Sequence, residues 1–194
     1  MNKKMIGLLA VAVLSAGLSG KAWSATMDDV ALSVTLSNAV SVFLPTATYD
    51  FGPVALSGVS INTSAIAVNN DSGGVRETYS LSMVDAAAGW TAASRASGAA
   101  GVDIYAVQAM FTSVQPAHAD FAADDNLGGG EAVVPASATD FALNGGSAGE
   151  MGYQVTDTAG THERTLWLRL QMPTSVTTTQ SNPFATIWVS AAAG

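Results

Sequence analysis

The chain has 194 residues, with seven Lys and Arg against fifteen Asp and Glu, 48% apolar and 11% charged residues, and no cysteine. A net charge of −8 excludes nucleic-acid binding, which needs a basic footprint, and sets the chain against anionic membrane surfaces. Without cysteine no disulfide staples the fold, and no lipid anchor can follow an export signal.

Met1–Ser24 has the three parts of such a signal. Lys3 and Lys4 form the charged start, Met5–Gly17 the apolar middle, and Ala22-Trp23-Ser24 the small-residue site ahead of a cut before Ala25. The apolar middle falls short of the about 20 residues that a membrane-spanning helix needs. Cleavage removes Lys3, Lys4 and Lys21. Arg76, Arg95, Arg164 and Arg169 then face all fifteen acids, a net charge of −11. Residues 25–194 suit one domain, which at this length buries roughly 70% of its unfolded surface. The expected location is extracellular or at the cell surface, with no insertion into a membrane.

From Ala25 onward the dominant period is two, the signature of strands. Val30, Leu32, Val34 and Leu36 alternate with small and polar residues in a first strand. Val40–Leu44 continues it, and Pro45 ends it. Thr48–Phe51 is a short piece closed by Gly52-Pro53. Ser60–Val68 reads as a strand with Ile66 and Val68 inward. Asn69–Gly74 is a dense turn signal. Val75–Val84 places Tyr79, Leu81 and Met83 on one face, and with Ser60–Val68 it reads as a β-hairpin. Trp90 follows as a core plug.

Val102–Phe111 is apolar on both faces, as in a strand covered on both sides. Thr112–Gly149 is a long loop-rich excursion with short strands or a helical turn, at Val133–Val134 and Asp140–Leu143. Glu150–Thr156 alternates again. Glu163–Met172 sets Leu166, Leu168, Leu170 and Met172 on one face and Trp167, Arg169 and Gln171 on the other. Phe184–Val189 is the last strand. Eight to ten strands with almost no helix point to an all-β chain, a single Ig-like or jelly-roll-type β-sandwich.

Few motifs carry chemistry. Gly145–Gly149 matches the nucleophile-elbow pattern, which needs a strand before it and a helix after it; here a Gly-rich loop precedes it and a strand follows. His118 and His162 read as solvated loop positions. His162-Glu163 opens like a zinc-protease helix, but Leu166 stands where the second histidine belongs. The expectation is therefore a non-enzyme that needs no cofactor. Calcium is the one ion the residue types would suit. Asp120, Asp124, Asp125, Asn126 and Glu131 crowd one loop with hard oxygen donors, and the competing reading is a solvated acidic turn. Asn62-Thr63-Ser64 and Asn70-Asp71-Ser72 have the form of glycosylation sequons, which places their asparagines at the surface. Tyr79, Tyr105, Trp167 and Trp188 line either a glycan-binding face or the core. Trp167, beside Arg169 and opposite the leucine face, is the best candidate for a ligand face, unless the 112–149 excursion covers it.

The stretch Ile66–Leu81 (IAVNNDSGGVRETYSL), followed by Gly89-Trp90, resembles the Ig-like β-sandwich modules of bacterial and archaeal surface proteins. The likeness covers about thirty residues. It implies an Ig-like fold in an extracellular structural or adhesive context, and it supplies no catalytic residues. Two functions follow as expectations. One is a secreted structural protein of the surface or matrix that assembles with itself or with other surface proteins. It would do so by strand addition through Val30, Leu32, Val34 and Leu36, which pair either within their own sheet or with a neighbour's. The other is an extracellular module that binds a glycan or calcium.

Overall fold

A computed structural model describes residues 40–194, apart from 47, 86–88, 129, 138, 144–150, 159–161, 179–184 and the side chains of 130–133. The export signal Met1–Ser24, the strand from Val30 to Leu36 and the Gly145–Gly149 motif lie outside the described residues.

The chain is all-β. Among the described residues nine strands run in the order β1 Val42–Phe43, β2 Val59–Ile61, β3 Ile66–Asn70, β4 Glu77–Asp85, β5 Thr91–Ala92, β6 Ile104–Phe111, β7 Gly130–Pro135, β8 Glu163–Gln171 and β9 Ala185–Ala193. Two short 3-10 turns, His118–Asp120 and Ala123–Asp125, are the helical elements among the described residues. The larger sheet has the order β1-β3-β8-β6-β5, with β2 also on β8; the smaller has the order β7-β4-β9.

The period-two pattern explains the core. Tyr79, Leu81 and Met83 on β4 are fully buried, against Val107, Ala109 and Phe111 of β6 and Leu166, Leu168 and Leu170 of β8. Each fully buried large side chain contributes about 1.5–3 kcal/mol. The Asp85 carboxylate ties the two sheets at one end: it accepts from the Tyr105 hydroxyl at 3.0 Å and from the Ala92 amide at 2.8 Å. As its composition predicts, β6 is covered on both sides. Its second face carries Met110, packed with Phe121 and Trp167, and Gln108, which donates to the Ala122 carbonyl at 2.7 Å.

Three sequence expectations fail. The segment Ser60–Val68 is two strands on the same flank of β8, with Ile61 opposite Arg169 and Ile66 opposite Leu166. Asn62 interrupts them. Its Oδ1 accepts from the Leu168 amide at 2.7 Å and its Nδ2 donates to the Ser64 carbonyl at 2.7 Å, so the side chain replaces the missing ladder bonds.

The expected hairpin is not one. β3 belongs to the larger sheet and β4 to the smaller, so the Asn/Gly turn is an arch between sheets. Buried Asn70 pins it, donating to the Val75 and Val155 carbonyls at 2.8 Å and accepting from the Ser72 amide and hydroxyl. Period two fixes which face a strand buries, and it is silent on which sheet holds the next strand.

Finally, Met151–Val155 forms bends and a single bridge, Glu77 to Val155, with Gln154 at φ 51°. Gly152 is required there. A Cβ would sit 2.6 Å from the Phe111 ring.

Candidate functional site

β9 pairs with β4 along its whole length, from Ala185 opposite Asp85 to Ala193 opposite Glu77, with no register shift. Among the described residues its other edge has no strand partner. Its sequence, ATIWVSAAA, holds no charge and no proline. The other outer strands are blunted. β1 and β5 have two residues each, and β7 carries a register shift opposite Leu81–Met83 and ends at Pro135. Short length, bulges, proline and charge are the devices that stop edge-to-edge pairing. β9 has none of them.

Behind β9 lies a cleft of about 770 Å³. Val107, Leu166, Leu168 and Leu170 form its floor, Ala185, Ile187 and Val189 the β9 wall, and Leu44, Thr46 and residues 48–54 also line it. Trp90, expected as a core plug, is half-buried and also lines the cleft. The strap of residues 48–54 is not a strand. Its Tyr49 hydroxyl accepts from the Thr63 amide at 2.7 Å at the β2–β3 break, and the Tyr49 and Phe51 rings meet edge to face at 4.9 Å. Ile187 and Val189 are only half-buried, whereas Tyr79, Leu81 and Met83 on the adjacent strand are sealed.

The start of the described chain is anchored at the Ala193 end of β9. The Ser41 amide donates to Glu77 Oε1 at 2.7 Å, and the Ser41 carbonyl accepts from the Asp71 amide at 3.2 Å. Burial raises the Glu77 carboxyl above its ordinary range, the Ser41 hydrogen bond lowers it, and nearby Asp71 raises it further.

The acidic loop does not converge. The Asp120 carboxylate accepts from the Ala117 amide and that of Asp125 from the Ala122 amide, both at 2.7 Å, so each closes its own 3-10 turn. Asp125 is fully buried, and burial lifts its carboxyl to about 7. Its Oδ1 makes no hydrogen bond of normal geometry, although the Ala142 and Phe141 amides favour the charged form. Asn126 is buried and tied to Arg95 and Ala123. Asp124 is half-buried, and the Glu131 side chain lies outside the described residues. Among the described residues no three His, Asp or Glu come together as metal ligands.

Trp167 does not present a ligand face. It is 7% exposed, packs on Met110 and Phe121, and donates from Nε1 to the Thr112 carbonyl at 2.9 Å. The excursion after β6 covers it. Arg169 lies beneath the same cover, hydrogen-bonded to Gln108, and burial lowers its pKa. Tyr79 and Tyr105 are core residues whose phenols burial shifts upward. Trp188 is the accessible aromatic of the four, 61% exposed on the outer face of β9 between Thr186 and Ser190. Asn62 and Asn70 are 0% and 1% exposed, so neither sequon is a surface acceptor in the folded chain. Their amide groups are consumed by the backbone. His118 is exposed, and His162 Nδ1 lies 3.3 Å from the Thr158 carbonyl, just ahead of strand β8.

Sequence reasoning missed the strap, the cleft and Arg95. Arg95 pairs with Asp140 at 2.6 Å, lies 5.0 Å over the Phe141 ring and bonds the Asn126 carbonyl, clamping the excursion to the loop after β5. The one legible signal was the uncharged run from Ala185 to Ala193; nothing in it says that the strand is an edge. No family model, no curated protein and no solved structure matches the chain.

Proposed function

We propose that the protein is an exported, non-enzymatic structural subunit of a cell surface or extracellular matrix. In this reading the mature chain is an Ig-like or jelly-roll-type β-sandwich after removal of Met1–Ser24, and it assembles by strand addition. The observation that carries the reading is the nine-residue edge of β9, uncharged and unbulged, above an apolar cleft. An added strand gains main-chain hydrogen bonds along the edge, and its alternate side chains enter the cleft. The partner is a surface protein or a second copy, and no cofactor takes part. The non-enzymatic element rests on the sequence, where no nucleophile, base and orienting group share a motif.

Negative-stain microscopy of residues 25–194 tests this. We expect regular filaments or sheets that Val189→Lys abolishes, because a charge pointing inward at an edge blocks pairing. Dispersed particles at all salt concentrations would overturn the assembly reading. The acidic chains repel at long range, so assembly should tighten as salt shortens the screening length to about 8–10 Å.

One observation favours a second reading, a glycan-binding module. Exposed Trp188 sits between two hydroxyl side chains on a flat strand face, and an exposed indole offers a stacking surface with a polar handle. Quenching of tryptophan fluorescence by a polysaccharide, lost in Trp188→Ala, would support it. No quenching would remove it.

A further inference from the structure

We infer that the strand completing β9 is residues 28–36 of a second copy of this chain, running antiparallel to β9. This rests on the assembly reading above and names its partner.

The first ground is the fit of pattern. In antiparallel register, residues directly opposite one another share a face. Aligning Leu36 with Ala185 sets Val34 on Ile187, Leu32 on Val189 and Val30 on Ala191. These four β9 residues are its half-buried, core-facing set. Of the other donor residues, Ala31, Ser33 and Thr35 are small or polar and fall on the outer face with Thr186, Trp188 and Ser190, while the charged Asp28 and Asp29 stand opposite Ala193 and Ala192 at the exposed end of β9. Between Val30 and Leu36 the donor carries no charge, like β9. Both segments have nine residues, about 30 Å when extended.

The second ground is where the donor is rooted. Ser41 is held at Glu77, opposite Ala193. Leu36 lies five residues before Ser41, a reach of at most about 18 Å, short of the about 27 Å that separates Ala193 from Ala185 along β9. A segment that turned back along β9 of its own chain would therefore run from the Ala185 end toward the Ala193 end. That is the direction of β9 itself, giving a parallel pair. Among the described residues the strand pairings are antiparallel except for the short β5–β6 one, with two single parallel bridges, Val102 to Ser175 and Phe111 to Ala142. A donor from a neighbour is free of the tether and takes the antiparallel direction. Donor and acceptor are different surfaces of one chain, so the contact is heterologous and generates an open filament rather than a closed dimer. A small ligand would also suit a cleft of this volume. The strand is favoured because the cleft runs beside a main-chain edge that has no strand partner among the described residues.

Disulfide mapping tests the inference, and the cysteine-free chain gives a clean background. The chain carrying Leu36→Cys with Ala185→Cys should form an intermolecular ladder on non-reducing gels. The chain carrying Leu36→Cys with Ala193→Cys should not cross-link. An intramolecular bond in the second variant would overturn the inference in favour of pairing within one chain. A complementation experiment separates the two levels of the claim. The Leu32→Asp/Leu36→Asp variant keeps an intact acceptor, and Val189→Lys keeps an intact donor. Each alone should stay dispersed, with assembly weakened at least about 100-fold by the unpaired charges, and the mixture should give one-to-one dimers. If Val189→Lys disperses the assembly but Leu32→Asp/Leu36→Asp does not, β9 is the edge and another segment is the donor. If wild-type protein does not assemble, the assembly reading itself falls. Should Val189→Lys unfold, Ala191→Lys serves in its place.

Discussion

On one flank of β4 the pairing is made in pieces; on the other it is continuous. β7 covers Ser80–Met83 with a register shift and a terminal proline, and Gly152–Val155 then takes over at Tyr79 and Glu77. That flank is locked by side chains from the larger sheet: Asn70 donates to the Val155 carbonyl, and the Arg164 Nε donates to the Met151 carbonyl at 3.0 Å. The β9 flank has no such locks among the described residues, and its register never slips. The difference teaches where a two-sheet chain spends irregularity. An edge that must not pair is broken and pinned, while an edge that stays straight and apolar remains competent to accept a strand.

The contrast breaks most visibly at Asn70. All four of its hydrogen-bonding capacities are used. Asn70→Ala removes these four hydrogen bonds together and strips the Ser72 amide of its acceptor, while the Val75 and Val155 carbonyls keep the Ser72 hydroxyl and the Glu77 amide, so we expect a loss of about 2–4 kcal/mol, measured by urea denaturation. It should also free the pieced flank, giving irregular aggregates instead of ordered assemblies in microscopy.

The excursion after β6 is a third region, and it can be loosened by pH. Asp125 holds the excursion beneath Phe141, and burial raises its pKa from 3.8 to about 7. The folded state then binds the proton more tightly than the unfolded state. Stability is full below the unfolded value and is lost as pH rises through the folded one. Melting should therefore be higher at pH 5 than at pH 8. The difference should be on the order of 3 kcal/mol from this group, with Glu77 acting in the same direction. Asp125→Asn should flatten the profile; a profile rising from pH 5 to pH 8 would contradict the assignment.

The smallest effect is expected on the straight flank. Trp188 is mostly exposed, so Trp188→Ala should change stability by less than about 0.5 kcal/mol and leave assembly intact. A large loss of assembly would mean that the outer face of β9, rather than its edge, makes the contact.

Much of the strand inventory is legible in local alternation. Leu166, Leu168 and Leu170, Tyr79, Leu81 and Met83, and the doubly apolar β6 all face as alternation requires. The errors share one cause. The Ser60–Val68 break, the arch misread as a hairpin and the bends at Met151–Val155 depend on Asn62, Asn70 and Gly152, whose roles are set by groups distant in sequence. A separation of 106 positions between Asn62 and its partner Leu168 leaves no local trace. The candidate ligand face moved from Trp167 to Trp188 for the same reason, since what covers an aromatic comes from elsewhere in the chain.

By itself, the sequence determined that the chain is all-β, which face each long strand buries, and that its surface is strongly acidic. These follow from local period and composition, because successive side chains on a strand point to opposite sides. Only the tertiary structure decided which strand belongs to which sheet, which strand is left at an edge, and which aromatic reaches solvent. Those outcomes depend on pairing between distant segments, where many partners satisfy the same alternation and the global packing selects one.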